Sequence, residues 1–134
     1  MTGLRLYKKE KLCGTASIDR LFLPGAADVH NAMAYPLRGV WRVNSHRRSK
    51  AQCPRVAIVV PKKRLRHAVD RVLMRRRIRE AYRLNRLDSL PYDTPVDLCL
   101  VYVADDIVRY HKVEKSVKRI FASIQKTLAS HDDT

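Results

Sequence analysis

Hydrophobic and polar positions alternate along this chain in six blocks, and each block has a recognisable period. Residues 15 to 23, TASIDRLFL, offer Thr15 or Ser17 as a helix N-cap. Ile18, Leu21 and Phe22 then share one helical face, and Pro24-Gly25 ends the segment. Residues 32 to 44, AMAYPLRGVWRVN, predict a strand with a bend or bulge at Pro36 and Gly39. SHRRSKAQCP at 45 to 54 is polar and predicts a hairpin loop. RVAIVV at 55 to 60 is β-branched and predicts a strand that Pro61 stops. Residues 62 to 86 hold apolar residues at helical spacing with no Gly or Pro. Leu87 to Pro95 reads as a link. VDLCLVYVA at 96 to 104 is apolar at nearly every position, which predicts a central strand covered on both faces. Residues 112 to 130 place Val113, Val117, Ile120, Phe121, Ile124 and Leu128 on one side of a last helix. The order α-β-β-α-β-α predicts a single-domain α+β sandwich spanning residues 1–134, with 1–14 as a basic arm.

The long block at 62 to 86 changes the picture most. It carries eleven Lys or Arg against two acids, Asp70 and Glu80. At about 100° per residue, Arg71, Arg75, Arg79 and Arg83 climb one side, with Arg76 and Arg86 beside them. Met74, Ile78, Ala81 and Leu84 form a separate apolar arc with Tyr82 at its boundary, and Arg77 falls on the apolar side. A solvated charged face normally mixes signs, and this one does not. Like charges at i, i+4 oppose an isolated helix. A rigid rod of arginines, about 30 Å long, instead matches a polyanion of fixed shape.

Composition agrees. Over 134 residues the formal net charge is +15 and the sequence pI about 10.3, while hydrophobic residues make up 46%, enough for a core. So large a positive charge calls for an anionic partner, and nucleic acid fits best. Membrane-surface helices favour Trp and Phe on their apolar face, which this helix lacks. Cys13, Cys53 and Cys99 are odd in number and widely spaced, which argues against a disulfide framework or a zinc site. Cys99 reads as a buried small residue. No segment has the apolar length of a signal peptide or a membrane span, so a cytoplasmic protein is expected.

The sequence offers no catalytic constellation. His30, His111 and His131 have no nucleophile nearby in pattern, and His46 and His67 stand in basic surroundings suited to phosphate contact. Asp105-Asp106 and Asp132-Asp133 read as solvated acids. No Gly-rich phosphate loop or triad pattern is present. A DNA-reading regulator would need base-reading residues among less basic neighbours, whereas a uniform arginine face tracks phosphates. Tyr35 and Trp41 read as sheet packing rather than stacking platforms.

At this point a resemblance emerges. The chain resembles the protein component of bacterial ribonuclease P. That family has a strand ending in a short Lys-Lys loop, then a helix of the form A-V-x-R-N-R-x-K-R-x-x-R-E-x-x-R. Here PRVAIVVPKK at 54 to 63 leads into Ala68-Val69-Asp70-Arg71, Arg75-Arg76 and Arg79-Glu80-Ala81-Tyr82-Arg83. SIDRLF at 17 to 22 is similar to the family's D-F-x-x-V-F helix. The resemblance covers nearly the whole chain. It implies a non-catalytic subunit that assists a catalytic RNA and its Mg²⁺ in removing the 5′ leader from precursor tRNA, with no cofactor on the protein, no membrane and no protein partner required. It implies RNA contacts at Lys62, Lys63, Arg64, Arg66, His67, Arg71, Arg75, Arg76, Arg79, Arg83 and Arg86. It implies a leader-binding cleft at Ile18, Phe22, Arg38 and Val40, with a core role for Phe22 as the alternative. Two departures stand out: the family's Arg-Asn-Arg is Arg71-Val72-Leu73 here, and Arg64-Leu65-Arg66-His67 stands where the family often has a Gly and one residue fewer. The competing reading is another structured-RNA binder, such as a ribosomal protein or an RNA chaperone, with no role in tRNA processing.

Overall fold

The chain's most apolar strand lies in the middle of a four-stranded sheet. The computed structural model describes residues 29–43, 54–89 and 96–132. The basic arm, the expected helix at 15 to 23 and all but Pro54 of the polar connection lie outside them. The strands are β1 (His30–Ala34), β2 (Leu37–Val43), β3 (Arg55–Val59) and β4 (Val96–Tyr102). Helix α1 (Ala68–Ser89) follows β3, and helix α2 (Tyr110–Asp132) follows β4. Spatial order is β1-β2-β4-β3, with β3 parallel to β4 and the other pairs antiparallel. β4 is central because it is apolar on both faces, so it loses most by being left at an edge.

Three expectations need correction. The segment expected as one bent strand at 32 to 44 is a hairpin over its described residues, which end at Val43. Its chain reverses at Tyr35-Pro36, where Pro36 has no N–H to give to a ladder. Second, the connection 45 to 54 does not close a hairpin, because β4 lies between β2 and β3. Third, the long helix begins at Ala68 rather than at residue 62, and the amides of Arg64 and Leu65 fold back on the Pro61 carbonyl at 3.0 and 3.3 Å instead. The mixed α+β architecture itself stands as expected.

Both helices cover one face of the sheet. Leu37, Trp41, Leu98, Leu100 and Tyr102 point into that core, as strand alternation requires. They meet Met74, Ile78, Ala81 and Tyr82 of α1 and Val113, Val117, Ile120, Phe121 and Ile124 of α2, all essentially inaccessible. The two helices lock through Tyr82 and Phe121, whose rings meet edge to face at 5.6 Å. Asn85 donates to Glu114 at 3.3 Å, and the Tyr110 hydroxyl donates to the same carboxylate at 3.2 Å. The Ser116 hydroxyl donates to the Ala34 carbonyl and so ties α2 to β1. Trp41 is buried and stacks on His30 at 6.1 Å, so it packs the sheet as expected. Tyr35 does not; it is 68% exposed at the hairpin tip.

Gly39 marks a close helix approach, not a bulge, and its register is unbroken. A Cβ there would lie 2.6 Å from the Ile120 Cγ2, a methyl fixed directly on a branched carbon. Gly39→Ala should therefore cost about 1–3 kcal/mol of stability in urea denaturation. In an Ile120→Ala background the same change should cost much less, because the obstructing methyl is gone. Additive losses would mean that the two residues do not touch.

Burial raises two further groups. The Cys99 thiol is pushed up from 9.0 to about 11 by desolvation. The Tyr102 phenol is pushed up from 10.0 to about 12, chiefly by desolvation, and its hydroxyl donates to the Asp106 carbonyl. Both groups hold their protons more tightly folded than unfolded, so their contribution is complete below about pH 9 and falls as pH rises towards 12. Tyr102→Phe should flatten the loss of stability between pH 10 and 12 in a pH series of melting curves, and an unchanged profile would contradict the assignment.

Candidate nucleic-acid interface

The loop before α1 and the outward face of α1 form one basic surface. Leu65 is buried and pins the loop, so its neighbours Lys62, Lys63 and Arg66 project outward. The amides of Asp70 and Arg71, in the first turn, bond to the His67 carbonyl at 3.1 and 3.2 Å. Asp70 in the first turn suits the positive end of the helix. A groove of about 570 Å³ runs between this loop and the β4–α2 connection, with Lys63, Arg66 and His67 on one wall and Asp105 and Ile107 on the other.

The structure sorts the arginines into two kinds. Some hold the protein together. Arg71 donates through one Nη1 to the carbonyls of Leu65 and Arg66, both at 2.9 Å, and so fixes the loop to the helix. Arg77, which falls on the apolar side by its angle, donates to the Val108 carbonyl at 2.6 Å and anchors the β4–α2 connection. Arg86 is only 4% exposed and donates to the Arg83 carbonyl at 2.6 Å. Arg64 pairs with Asp105 at 3.1 Å. Arg83 grips Glu80 at 2.5 and 3.2 Å, and this hydrogen bond holds the Glu80 carboxyl below its ordinary range. The others face outward. Arg75 is half-buried, Arg76 and Arg79 are exposed, and no side chain among the described residues engages them. The same holds for Lys62, Lys63 and Arg66.

The apolar arc is also redrawn. Tyr82 is fully buried rather than at a boundary, while Leu84 is 37% exposed and outside the core. Val72 is exposed on the arginine side, as its angle predicts, and Leu73 is half-buried.

The opposite face of the sheet carries the other expected residues. Arg38 and Val40 both point away from the helices, Arg38 exposed and Val40 buried beside Ala57 and Cys99. Cross-strand register sets Met33, Arg38, Val101 and Val59 in one row and Asn31, Val40, Cys99 and Ala57 in the next. Ile18 and Phe22, the cleft's other expected residues, lie outside the described residues. Sequence reading missed a third row, Arg42–Asp97–Arg55, in which a buried carboxylate stands between two arginines. The signal was present: a lone acid in an otherwise apolar strand demands cationic company.

No group of three or more His, Cys, Asp or Glu among the described residues assembles a metal-ligand set, and no described helix is long and apolar enough to cross a membrane. The geometry defines a small α+β scaffold that presents a rigid cationic helix face and a separate sheet face. Residues 6–128 match the protein family described as Ribonuclease P. Over 129 residues the chain is 32% identical to the ribonuclease P protein component of Porphyromonas gingivalis, covering 93% of this chain and 90% of that one. The fold is similar to the ribonuclease P protein of Staphylococcus aureus, with a TM-score of 0.67 at 16% identity over 86% of this chain and 94% of that one. It is also similar to that of Thermotoga maritima, with a TM-score of 0.53 at 19% identity over 90% and 93%. The chain belongs to the ribonuclease P protein family, the protein subunit of a tRNA-processing enzyme that works with an RNA subunit.

The division of arginines can be tested on the free protein. Arg71→Ala removes a charged donor from two carbonyls and should cost about 1.5–3 kcal/mol in urea denaturation. Arg79→Ala removes only an outward charge and should stay within about 0.5 kcal/mol of the parent. Similar losses at both sites would erase the distinction.

Proposed function

We propose that the outward face of α1 and its preceding loop bind the catalytic RNA subunit of ribonuclease P, while the helix-free sheet face binds the 5′ leader of precursor tRNA. The observation that carries this reading is the set of six cations with no side-chain partner among the described residues, Lys62, Lys63, Arg66, Arg75, Arg76 and Arg79, along the helix and the loop before it. Phosphates repeat along a polyanion, and a rigid helix holds its cations at a fixed repeat to meet them. His67, at the start of the helix, adds a donor to the same surface. Arg64, Arg71, Arg83 and Arg86 support the surface from within and reach RNA only at its edges. The sheet face suits a single strand, with exposed Arg38 for a phosphate beside the apolar surface of Met33, which is 65% exposed, and Val59. Val40 lines the floor of that face, and the leader contacts expected of Ile18 and Phe22 fall outside the described residues.

The chemistry in this reading belongs to the RNA and its Mg²⁺, with the subunit acting by binding and positioning in the bacterial cytoplasm. Reconstitution tests it. With a ribonuclease P RNA transcript at low Mg²⁺, the protein should accelerate cleavage of precursor tRNA, and without the transcript it should leave the substrate intact. Six neutralised phosphates correspond to a slope of log affinity against log salt of about −4 to −5, and Arg79→Ala should flatten it by somewhat under one. A slope near zero would overturn the phosphate-tracking surface. Arg38→Ala should weaken precursor tRNA binding to the reconstituted enzyme and leave mature tRNA unchanged. Equal losses for both substrates would remove Arg38 from the leader cleft.

A further inference from the structure

The first turns of the outward face of α1 carry three apolar side chains. Val69 is 79% exposed, Val72 is 39% exposed, and Leu73 is half-buried beside them. With Arg76 these residues follow the i, i+3, i+4, i+7 spacing of a packing face, yet Val69 and Val72 stay exposed in the described structure. Arg76 follows Val72 by four residues and Leu73 by three. Helical side chains lean back towards the N-terminus, which puts both within reach of Arg76. Its guanidinium is exposed, and no acceptor among the described residues holds it.

We propose that Val69, Val72 and Leu73, with Arg76 over them, form a platform for one unstacked nucleobase of the RNA subunit. The proposal rests on the reading of this helix as the RNA-subunit interface. Surrounding charge decides the class of partner. Lys62, Lys63 and Arg66 stand at one end of the patch and Arg79 at the other, so a polyanion covers it and a hydrophobic protein surface does not. Phosphates gain nothing from valine, and a duplex groove presents hydroxyls that valine cannot satisfy. The apolar part of RNA that remains is the face of an unpaired base. Bases of that kind stack on arginine planes.

Salt separates the two kinds of contact. The double change Val69→Ser with Val72→Ser alters only exposed positions, and its melting temperature should match the parent. Its affinity for a ribonuclease P RNA transcript should fall roughly five- to fiftyfold, with the salt slope unchanged. Its affinity for a perfect RNA duplex of similar length should not change, because a duplex offers no unstacked base. Arg79→Ala should instead flatten the slope on both RNAs. Unchanged or tighter binding to the transcript by the Ser variant would overturn the platform, as would equal losses on transcript and duplex. A change in the sedimentation of the free protein would assign the patch to protein contact and overturn it too. If the parent itself fails to bind the transcript, the functional reading falls rather than this refinement of it.

Discussion

Parallel pairing of β3 with β4 obliges the chain to cross from one end of the sheet to the other between them, and α1 is the element that makes the crossing. Once α1 lies on the sheet, Met74, Ile78, Ala81 and Tyr82 are committed to the core. Everything on the opposite arc is committed to solvent. The orientation of the basic surface is therefore set by apolar packing and not by the charges themselves. Repulsion among Arg75, Arg76 and Arg79 opposes the helix locally. Burial of about 0.8 kcal/mol per methylene across that face exceeds it.

The same constraint divides labour among chemically identical side chains. Arg71 and Arg77 lie at the margins of the buried arc, where carbonyls of Leu65, Arg66 and Val108 are within reach. They become struts that fix the flanking loops. Arg76 and Arg79 lie opposite the core, where no acceptor among the described residues engages them, and stay available to an external anion. In the proposed RNA-binding role, a loop held by these struts would keep Lys62, Lys63 and Arg66 at a constant spacing from the helix.

Much of this was legible before the structure. The buried character of VDLCLVYVA, the long helix, the last helix and the outward position of Val72 all follow from period alone. What period could not show was long-range pairing. A hairpin at Tyr35-Pro36 and a bent strand leave the same alternation on either side of a proline. That β4 inserts between β2 and β3 depends on which strand loses most at an edge, a comparison across sixty residues. Gly39 announced an irregularity, but only the position of Ile120 explains it. The strut arginines were invisible for a similar reason: their partners are backbone carbonyls, and any sequence supplies those.

The central claim is that the outward face of α1 is what the RNA subunit touches. Directed hydroxyl-radical cleavage reads this most directly. An iron chelate is tethered at Arg76→Cys on α1, or at Lys118→Cys on the exposed side of α2, in a protein with Cys13 and Cys53 replaced and buried Cys99 retained. Bound to a ribonuclease P RNA transcript, the chelate at position 76 should cut the RNA at a small number of clustered nucleotides, and the chelate at 118 should cut weakly or not at all. Strong cuts from 118 with none from 76 would contradict the account.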